Sequence, residues 1–429
     1  MIRLITHAMC VGFVSLMLMV SAVQAGESPA AASLTLQQAI AAALKGNPEL
    51  QSFAFELRAQ SARIRQAGLR PALEAGVQLE NFLGSGDLNG FSGVEATFAL
   101  SKVIELGGKR GARIAAAQAG LSTLDIERQA RQLDVLADVT RRFITVATRQ
   151  EQLRLARTAG ELAQKTVKGS EIRVNAAKSP HVELDRALIA QDRARLNESR
   201  AVATLESARK QLAAIWGESQ PVMNGQAFGS IQADLYALPA VGDFAELTAR
   251  LAANPDFARF ASEARLRDAE LRLAATRRRG DLEVSAGVRR LEATDDQAFV
   301  ASFSLPLFSG PRAASYVAEA QANRGRVDAN RRAAEVKAQA TLFELHRELS
   351  QAVLEADTLN RETMPRISEA LKETEYAFER GRYSYLELVD AQREYLSVQS
   401  SLIEAASAAH TLRAEIERLT NAPLTGSTP

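Results

Sequence analysis

Residues 73–81 of the chain read LEAGVQLEN, and apolar and polar side chains alternate along this stretch. A period of two places neighbouring side chains on opposite faces of an extended strand. A glycine-rich turn follows at residues 84–87, and residues 94–101 alternate in the same way. The two stretches therefore predict a β-hairpin that has one apolar and one polar face.

The hairpin occurs a second time, as part of a duplication of the chain. The Asn47-Pro48 pair is echoed by Asn254-Pro255, 207 residues later. At nearly the same offset, residues 282–289 repeat the first alternating strand and residues 300–305 repeat the second. Such internal similarity predicts two copies of one structural unit. Each strand holds roughly nine to eleven residues, the length that crosses an outer membrane at a tilt.

Helices are predicted for most of the remaining sequence. An opening helix is expected over residues 33–70, with a break at the Asn47-Pro48 pair. Residues 111–175 contain no proline and many strong helix formers, which predicts one helix on the order of 100 Å long at about 1.5 Å per residue. Pro365 interrupts the matching helix of the second half and predicts a kink there. Apolar residues in both helices step by three and four, as in coiled coils.

Each long helix is followed by a break, at residues 178–180 and 381–384, and then by a return helix. A glycine- and proline-containing segment joins the two halves. The predicted fold class is mainly α with a small β part, built from two internal repeats. The chain is predicted to divide into a leader (1–25), a first repeat (26–216), a linker (217–242), a second repeat (243–420) and a C-terminal tail (421–429).

The N-terminal stretch and the composition limit the classes of protein to which the chain can belong. The leader begins with Arg3, continues with an apolar stretch and ends at a small-residue site at Ala25, which is typical of a secretory signal peptide. The single cysteine, Cys10, lies within it, so no disulfide is predicted in the mature chain. Lys and Arg number 52 against 51 Asp and Glu, so binding to nucleic acid is not indicated. After residue 25 no apolar run approaches the roughly 20 residues of a membrane-spanning helix, which excludes a helical membrane protein.

The four predicted strands are too few to close a barrel, which takes about eight strands even in the smallest cases. Unpaired backbone groups cost several kcal/mol in hydrocarbon, so strands that enter lipid must be completed by other copies of the chain. Two copies would supply eight strands and three would supply twelve, and the residues leave both open. A soluble periplasmic coiled-coil scaffold is the alternative of another class, because it would show the same helical pattern.

Residues 47–50, 80–86 and above all 104–110 resemble the TolC family of outer-membrane factors. The last stretch, IELGGKR, is similar to the branch that serves cobalt, zinc and cadmium efflux. The resemblance implies a TolC-like homotrimer, with a twelve-stranded barrel in the outer membrane and a twelve-helix tube in the periplasm. It also implies two partners, a periplasmic adaptor (a membrane fusion protein) and an inner-membrane RND-type pump. Export of drugs, other small molecules or type I secretion substrates by the same fold is the alternative.

The resemblance also implies which residues line the periplasmic mouth of the tube. Glu387 and Asp390 lie three residues apart, on one face of a helix. Repeated by symmetry, they would form a carboxylate gate whose members repel one another and attract cations. Arg382, Tyr383 and Tyr385 are expected to latch this mouth through hydrogen bonds to neighbouring helices.

Equivalent positions occur in the first half. Glu183 and Arg186 stand where the second half has its two carboxylates, and a bridge from Arg186 to a carboxylate of the same chain is one way to hold the mouth closed. The family usually has glycine at both tips, whereas Ala177 stands at the first tip here. The expected adaptor-contacting tip residues are Lys178, Ser179, Gly381 and Ser384.

No cofactor, resident metal or catalytic centre is predicted. Residues His181, His346 and His410 have no partner at ligand spacing. The sequence contains no Gly-x-Ser-x-Gly elbow and no complete phosphate-binding loop. Together with the strand pattern and the resemblance, this predicts a passive outer-membrane efflux duct for heavy-metal cations, which is not an enzyme.

Overall fold

A computed structural model describes residues 32–421 of the 429-residue chain. The predicted leader, residues 1–25, and the predicted tail from residue 422 onward lie outside the described residues. The elements of the first half are β1 (Ala32–Leu34), α1 (Leu36–Gly46), α2 (Pro48–Ala67), β2 (Leu73–Glu80), β3 (Glu95–Ile104), α3 (Lys109–Asn175) and α4 (His181–Ala214). They are followed by β4 (Val222–Met223), β5 (Gln226–Ile231), α5 (Phe244–Leu251), α6 (Pro255–Thr276), β6 (Leu282–Leu291), β7 (Asp296–Ser304), α7 (Ser309–Thr358), α8 (Met364–Glu379) and α9 (Tyr385–Thr420).

The four alternating stretches form one antiparallel sheet in the order β2-β3-β6-β7, so the two predicted hairpins lie side by side. The register places Val77 opposite Phe98, Phe98 opposite Val288, and Val288 opposite Phe299. Apolar side chains thus form a continuous row across one face. Phe299 is 94% exposed and Phe98 is 60% exposed, so this face is open within the protomer.

The opposite face of the sheet is polar, and one arginine organises its turn end. Glu80 and Glu95 lie directly opposite each other on β2 and β3. Two like charges in this position repel. The guanidinium of Arg289 lies between them and donates to Glu80 Oε2 over 2.9 Å and to Glu95 Oε2 over 2.7 Å. Its Nε also donates to the Thr97 hydroxyl over 2.9 Å. Together these bonds tie Arg289 of β6 to side chains of β3 and β2.

The helical body is built around α3, which has 67 residues and is therefore on the order of 100 Å long, as predicted. This helix packs against α2, α4, α6 and α9, while α7 packs against α6 and α9. Fully buried Phe143 of α3 belongs to a core that also contains Leu212 of α4 and Ile403 of α9. Within residues 32–421, no helix has both the length and the hydropathy needed to cross a membrane.

The segment 217–242, predicted only as a linker, contains β4 and β5, and β5 pairs in parallel with β1. The sequence interpretation therefore missed a small three-stranded sheet, β1-β5-β4. The expected helix over residues 33–70 also begins later, at Leu36, because Thr35 caps its first turn through a reciprocal bond pair with Gln38. Phe228 and Ile231 of β5 are buried in the main core, so the segment stabilises the middle of the molecule.

The duplicated Asn-Pro pairs have one and the same function in both halves. Asn47 caps α2 and donates its side-chain amide to the Ile215 carbonyl at the end of α4, over 2.8 Å. Asn254 caps α6 and donates to the carbonyls of Arg418 and Leu419 at the end of α9, over 2.9 and 2.8 Å. Each asparagine therefore fastens the restart of an opening helix to the end of the return helix. The break predicted from Asn47-Pro48 is confirmed, and its asparagine carries this contact.

We expect Asn254→Ala to lower the thermal midpoint of the purified protein measurably. Asn254 is fully buried, and its removal leaves two carbonyls and one helix N-terminus without their partner. Loss of a cap and of buried hydrogen bonds costs about 2–3 kcal/mol together. Circular dichroism during heating measures the change. Asn330→Ala, at an exposed position of α7, is the matched control. Equal midpoints for the two variants would contradict the proposed anchoring role.

Pro365 interrupts the second long helix, as predicted, and the interruption takes the form of a widened turn. Residues Leu359–Thr363 form a single π-helical turn between α7 and α8. Proline has no amide hydrogen, and its ring clashes with the carbonyl four residues earlier, which is that of Arg361. A π turn accommodates this conflict by inserting extra backbone into one turn of the helix.

Candidate functional site

Two turns, one between α3 and α4 and one between α8 and α9, lie together at one end of the helical body. Both have the same hydrogen-bond pattern. In the first turn, the amide of Lys178 donates to the Arg173 carbonyl over 2.8 Å. In the second turn, the amide of Arg382 donates to the Ala377 carbonyl over 2.9 Å. This six-to-one bond defines a helix C-terminal motif that requires a left-handed residue just before the donor. The two positions are Ala177, with φ of 52°, and Gly381, with φ of 73°.

The alanine at the first turn predicts a stabilising substitution. A left-handed backbone costs a residue with a Cβ atom roughly 1–2 kcal/mol, so we expect Ala177→Gly to stabilise this turn by about 1 kcal/mol. Amide hydrogen exchange at residues 174–180 measures this local gain. Ala176→Gly is the matched control, because Ala176 is equally exposed but has φ of −84°. Glycine there should increase exchange. A rate for Ala177→Gly that is unchanged or faster would show that the turn is not strained.

The two turns share a small apolar core. Ala187 of α4, Phe378 of α8 and Tyr385 and Leu388 of α9 are buried against one another. Gly169 of α3 allows Phe378 to approach, because a Cβ atom at this glycine would lie 3.0 Å from the Phe378 ring. The packing fixes the second turn against the long helix of the first half.

Arg173 of α3 fastens the second turn, and the sequence interpretation missed it. Its guanidinium donates to the Tyr383 carbonyl over 3.0 Å and to the Phe378 carbonyl over 3.3 Å. It also lies over the Phe378 ring, 4.7 Å from the centroid. A cation on an aromatic face together with two accepting carbonyls makes a firm contact between the halves. Residues 173 and 383 are remote in sequence, so no local pattern indicates this pairing.

Glu387, a predicted gate residue, is exposed and also caps α9. Its carboxylate accepts from the Ser384 amide over 2.6 Å, and its own amide donates to the Ser384 hydroxyl over 3.4 Å. The Ser384 backbone amide and hydroxyl hold the pKa of Glu387 below its ordinary value of 4.5. The carboxylate is thus ionised at neutral pH. The spacing Ser384-x-x-Glu387 is a capping box that could have been recognised in the sequence.

The other residues predicted for this mouth are all exposed. Asp390 lies one turn further along α9, with 78% of its side chain exposed, and its nearest cation is Arg393 at 3.6 Å. Arg382 and Tyr383 lie in the turn itself, where Tyr383 supplies the carbonyl that Arg173 binds. The chain therefore brings Glu387 and Asp390 onto one exposed helix surface beside a firmly held turn.

The first-half equivalents differ from this arrangement. Glu183 is partly buried, and its Oε2 atom has no hydrogen-bond partner in the described chain. Arg186 is exposed, and the ion pairs found within residues 32–421 do not include it, so the bridge to a carboxylate of the same chain stays a prediction. Burial raises the pKa of Tyr385, and the charges of Arg186 and Glu183 act on it in opposite directions. Tyr385, the first residue of α9, thus lies close enough to feel the charges of both first-half residues.

The predicted tip residues lie where the chain reverses direction. Lys178, Gly381 and Ser384 are exposed, while Ser179 is partly buried and its hydroxyl has no partner among the described residues. Within the same range, no group of three His, Cys, Asp or Glu residues is arranged to hold a metal ion. His346 and His410 contact the carbonyls of Gly242 and Leu235, and His181 lies 3.3 Å from Asp185.

Comparison with known proteins identifies the family and the relatives that this chain resembles. A family described as outer membrane efflux protein matches residues 39–218. The cobalt-zinc-cadmium resistance protein CzcC of Cupriavidus metallidurans is 30% identical over 88% of this chain and 89% of its own length. The nickel and cobalt resistance protein CnrC of the same organism is 27% identical over 78% of each chain.

A solved structure has the same fold at much lower identity. The CmeC outer membrane channel of Campylobacter jejuni superposes with a TM-score of 0.72 at 14% identity, over 93% of this chain and 90% of that one. The similarity extends along nearly the full length of both chains, so the two proteins share one overall fold.

Proposed function

Because the chain belongs to the outer membrane efflux protein family, we propose that it is the duct of a tripartite, RND-type system that exports heavy-metal cations. The resemblance to TolC-type outer-membrane factors is thereby confirmed. As a member of this family, the chain is an outer-membrane efflux channel that extends into the periplasm. Heavy-metal cargo is our proposal, and the full-length similarity to a cobalt-zinc-cadmium resistance protein supports it.

The feature that carries the channel function is the open apolar face of the four-stranded sheet. Phe98, Val288 and Phe299 occupy one row on this face and are exposed, whereas Glu80, Glu95 and Arg289 occupy the other face. A sheet that is apolar outside and polar inside suits a barrel wall between lipid and water. The strands of one chain are too few to complete such a wall, so other copies must complete it. From the relationship to the outer membrane efflux family, we propose a homotrimer that contributes twelve strands.

We further propose that Glu387 and Asp390 form the periplasmic gate, with Arg382 and Tyr383 as its latch. Around a threefold axis each exposed carboxylate would occur three times, and the resulting ring would attract divalent cations at the mouth. Glu183 and Arg186 would flank the ring in the first-half positions. The ring would bind cations weakly, because a conduit must release what it accepts.

We also propose that the channel has two partners, an adaptor and a pump, and that the chain is not an enzyme. Lys178, Ser179, Gly381 and Ser384 would meet the periplasmic adaptor, because they lie in the two helix turns and all except Ser179 are exposed. The family is one of channels, and we propose that an inner-membrane pump supplies the energy while this chain carries out no chemistry.

Cell fractionation and particle mass test the channel proposal. We expect the mature chain in the outer-membrane fraction, released by detergent as a particle with the mass of three copies. Recovery of a monomer from the periplasm without detergent would instead support the coiled-coil scaffold.

Deletion of the gene tests the proposed cargo. We expect the deletion strain to lose tolerance to zinc, cobalt or cadmium, and the wild-type gene to restore it. The deletion strain should be compared on the same plates with copper and with several drugs. Unchanged metal tolerance together with drug hypersensitivity would favour the alternative, in which the same fold exports drugs.

A further inference from the structure

A basic pocket lies where the four-stranded sheet meets the long helices. It has a volume of about 440 Å³ and is formed by the connection between α2 and β2 and the connection between β3 and α3. Three cations line it, namely Arg70, Lys102 and Arg110. No residue predicted for the gate or the tips takes part, so the function proposed above leaves this pocket unused.

The charge of the pocket is not neutralised by the protein. Its single acidic residue, Glu105, is engaged by Arg113, which donates to both carboxylate oxygens. Among the ion pairs of residues 32–421, none includes Arg70, Lys102 or Arg110. All three are exposed. The pocket therefore presents three positive charges to an anion from outside the protomer.

The geometry also orients these cations. Arg110 Nε donates to the Gly68 carbonyl over 2.6 Å, which fixes its guanidinium at the start of α3 and leaves the terminal nitrogens available. Guanidinium groups bind phosphate oxygens through such nitrogens. Lys102 stands near the end of β3, opposite Leu73 of β2 and Val284 of β6. A lysine in this position extends its charge beyond an apolar surface while its stem stays on that surface.

The pocket is continuous with the apolar face of the sheet. Lys102 belongs to the same row of β3 as Leu100 and Ile104, which are 53% and 42% exposed, and Ile104 itself lines the pocket. An anion that binds here would therefore have apolar surface directly beside it. Free phosphate has no group for that surface, whereas a phospholipid carries its phosphate next to acyl chains.

We propose that Arg70, Lys102 and Arg110 form a binding site for the headgroup of an anionic phospholipid, whose acyl chains lie along β2 and β3. The proposal rests on the outer-membrane location proposed above. Basic pockets beside membrane-embedded segments recognise anionic headgroups by this combination of charge and apolar contact. The bound lipid would hold the junction of sheet and helices at the level of the membrane surface.

Native mass spectrometry of the full-length, delipidated particle in detergent tests the site. The particle is titrated with phosphatidylglycerol, with zwitterionic phosphatidylcholine and with inorganic phosphate. We expect phosphatidylglycerol to bind at least about tenfold more tightly than phosphatidylcholine, and the preference to disappear in the R70Q/K102Q/R110Q variant. The matched control is R326Q/R332Q/K337Q, which removes two arginines and one lysine from exposed positions of α7.

Three results would overturn the proposal. They are an unchanged preference in the R70Q/K102Q/R110Q variant, an equal loss in the α7 control, and displacement of phosphatidylglycerol by millimolar inorganic phosphate, which would indicate a free-anion site. If the triple variant does not assemble, K102E alone should lower the preference in a particle of unchanged mass. Absence of the preference in a protein that fractionates with the outer membrane contradicts only the lipid site. Recovery without detergent contradicts the channel function itself.

Discussion

Substituting glutamine for Glu387 and asparagine for Asp390 is expected to weaken block of the channel by divalent cations about tenfold, equivalent to about 1.4 kcal/mol of lost attraction. Both carboxylates are exposed on one surface of α9, and the threefold arrangement proposed for the particle would concentrate them at the mouth. The pair of substitutions removes charge with little change in size. Single-channel conductance in planar bilayers, with calcium or zinc added on the periplasmic side, measures the block.

Glu387 allows the role of charge to be separated from the role of the helix cap. Glutamine keeps an oxygen that can accept from the Ser384 amide, whereas alanine removes the cap as well. We therefore expect both variants to reduce block, and only Glu387→Ala to loosen the second turn. E344Q/E355Q, at exposed positions of α7, is the control and should leave block unchanged. Equal block in wild type and in the Glu387 and Asp390 variants would contradict the gate.

The same cap gives the second turn a predictable pH dependence. Hydrogen bonds from Ser384 hold the pKa of Glu387 below 4.5 in the folded chain. A depressed carboxyl pKa contributes stability that is fully present above the unfolded value and is lost as pH falls through the folded value. Protection of the second turn should therefore persist at pH 5, and it should decline only at more acidic pH.

Arg289→Gln is expected to destabilise the assembled particle by about 1–2 kcal/mol per protomer, because three hydrogen bonds to a charged group are lost at a partly solvated site. Glu80 and Glu95 would then face each other across β2 and β3 without a cation. The temperature at which the detergent-solubilised oligomer dissociates, followed by gel electrophoresis, measures the effect. Adding Glu95→Gln to Arg289→Gln should restore part of the loss, because it removes the repulsion.

The neighbouring arginine provides a control for this experiment. Arg290 lies next to Arg289 on the same strand but on the other face, and it pairs with Glu292 and Asp295 near the turn. An exposed pair at a turn contributes little, so Arg290→Gln should change the dissociation temperature far less. Equal effects of the two substitutions would show that loss of any arginine from β6 explains the result.

The periodic parts of the fold could be predicted from the sequence. The alternating stretches predicted β2, β3, β6 and β7, and the proline-free run predicted α3. Pro365 predicted the break between α7 and α8. All these features depend on neighbouring residues, and their patterns are local. The sheet of β1, β5 and β4 has no such pattern, because β1 holds three residues and pairs with a strand almost two hundred residues later. Its formation is decided by tertiary contacts.

The candidate site could be predicted only in part, for the same reason. The resemblance indicated Glu387, Asp390 and the two turns, and the structure places them at one end of the helical body. The contact of Arg173 with the second turn joins the two halves of the chain, and no spacing along the sequence reveals it. The capping role of Glu387 was visible as a Ser-x-x-Glu pattern, but a carboxylate can serve both as a cap and as a gate.

The π turn at Leu359–Thr363 determines how the end of the second half is oriented. Each residue of an α-helix advances the direction of the side chains by about 100°, so one residue more or less in this turn would rotate all of α8 by that angle. Phe378 would then point away from Gly169, and Arg173 would lose its aromatic neighbour. The orientation of the second turn therefore depends on the number of residues in the π turn, which lies several helical turns before it along the chain. Length changes there should be far less tolerated than substitutions.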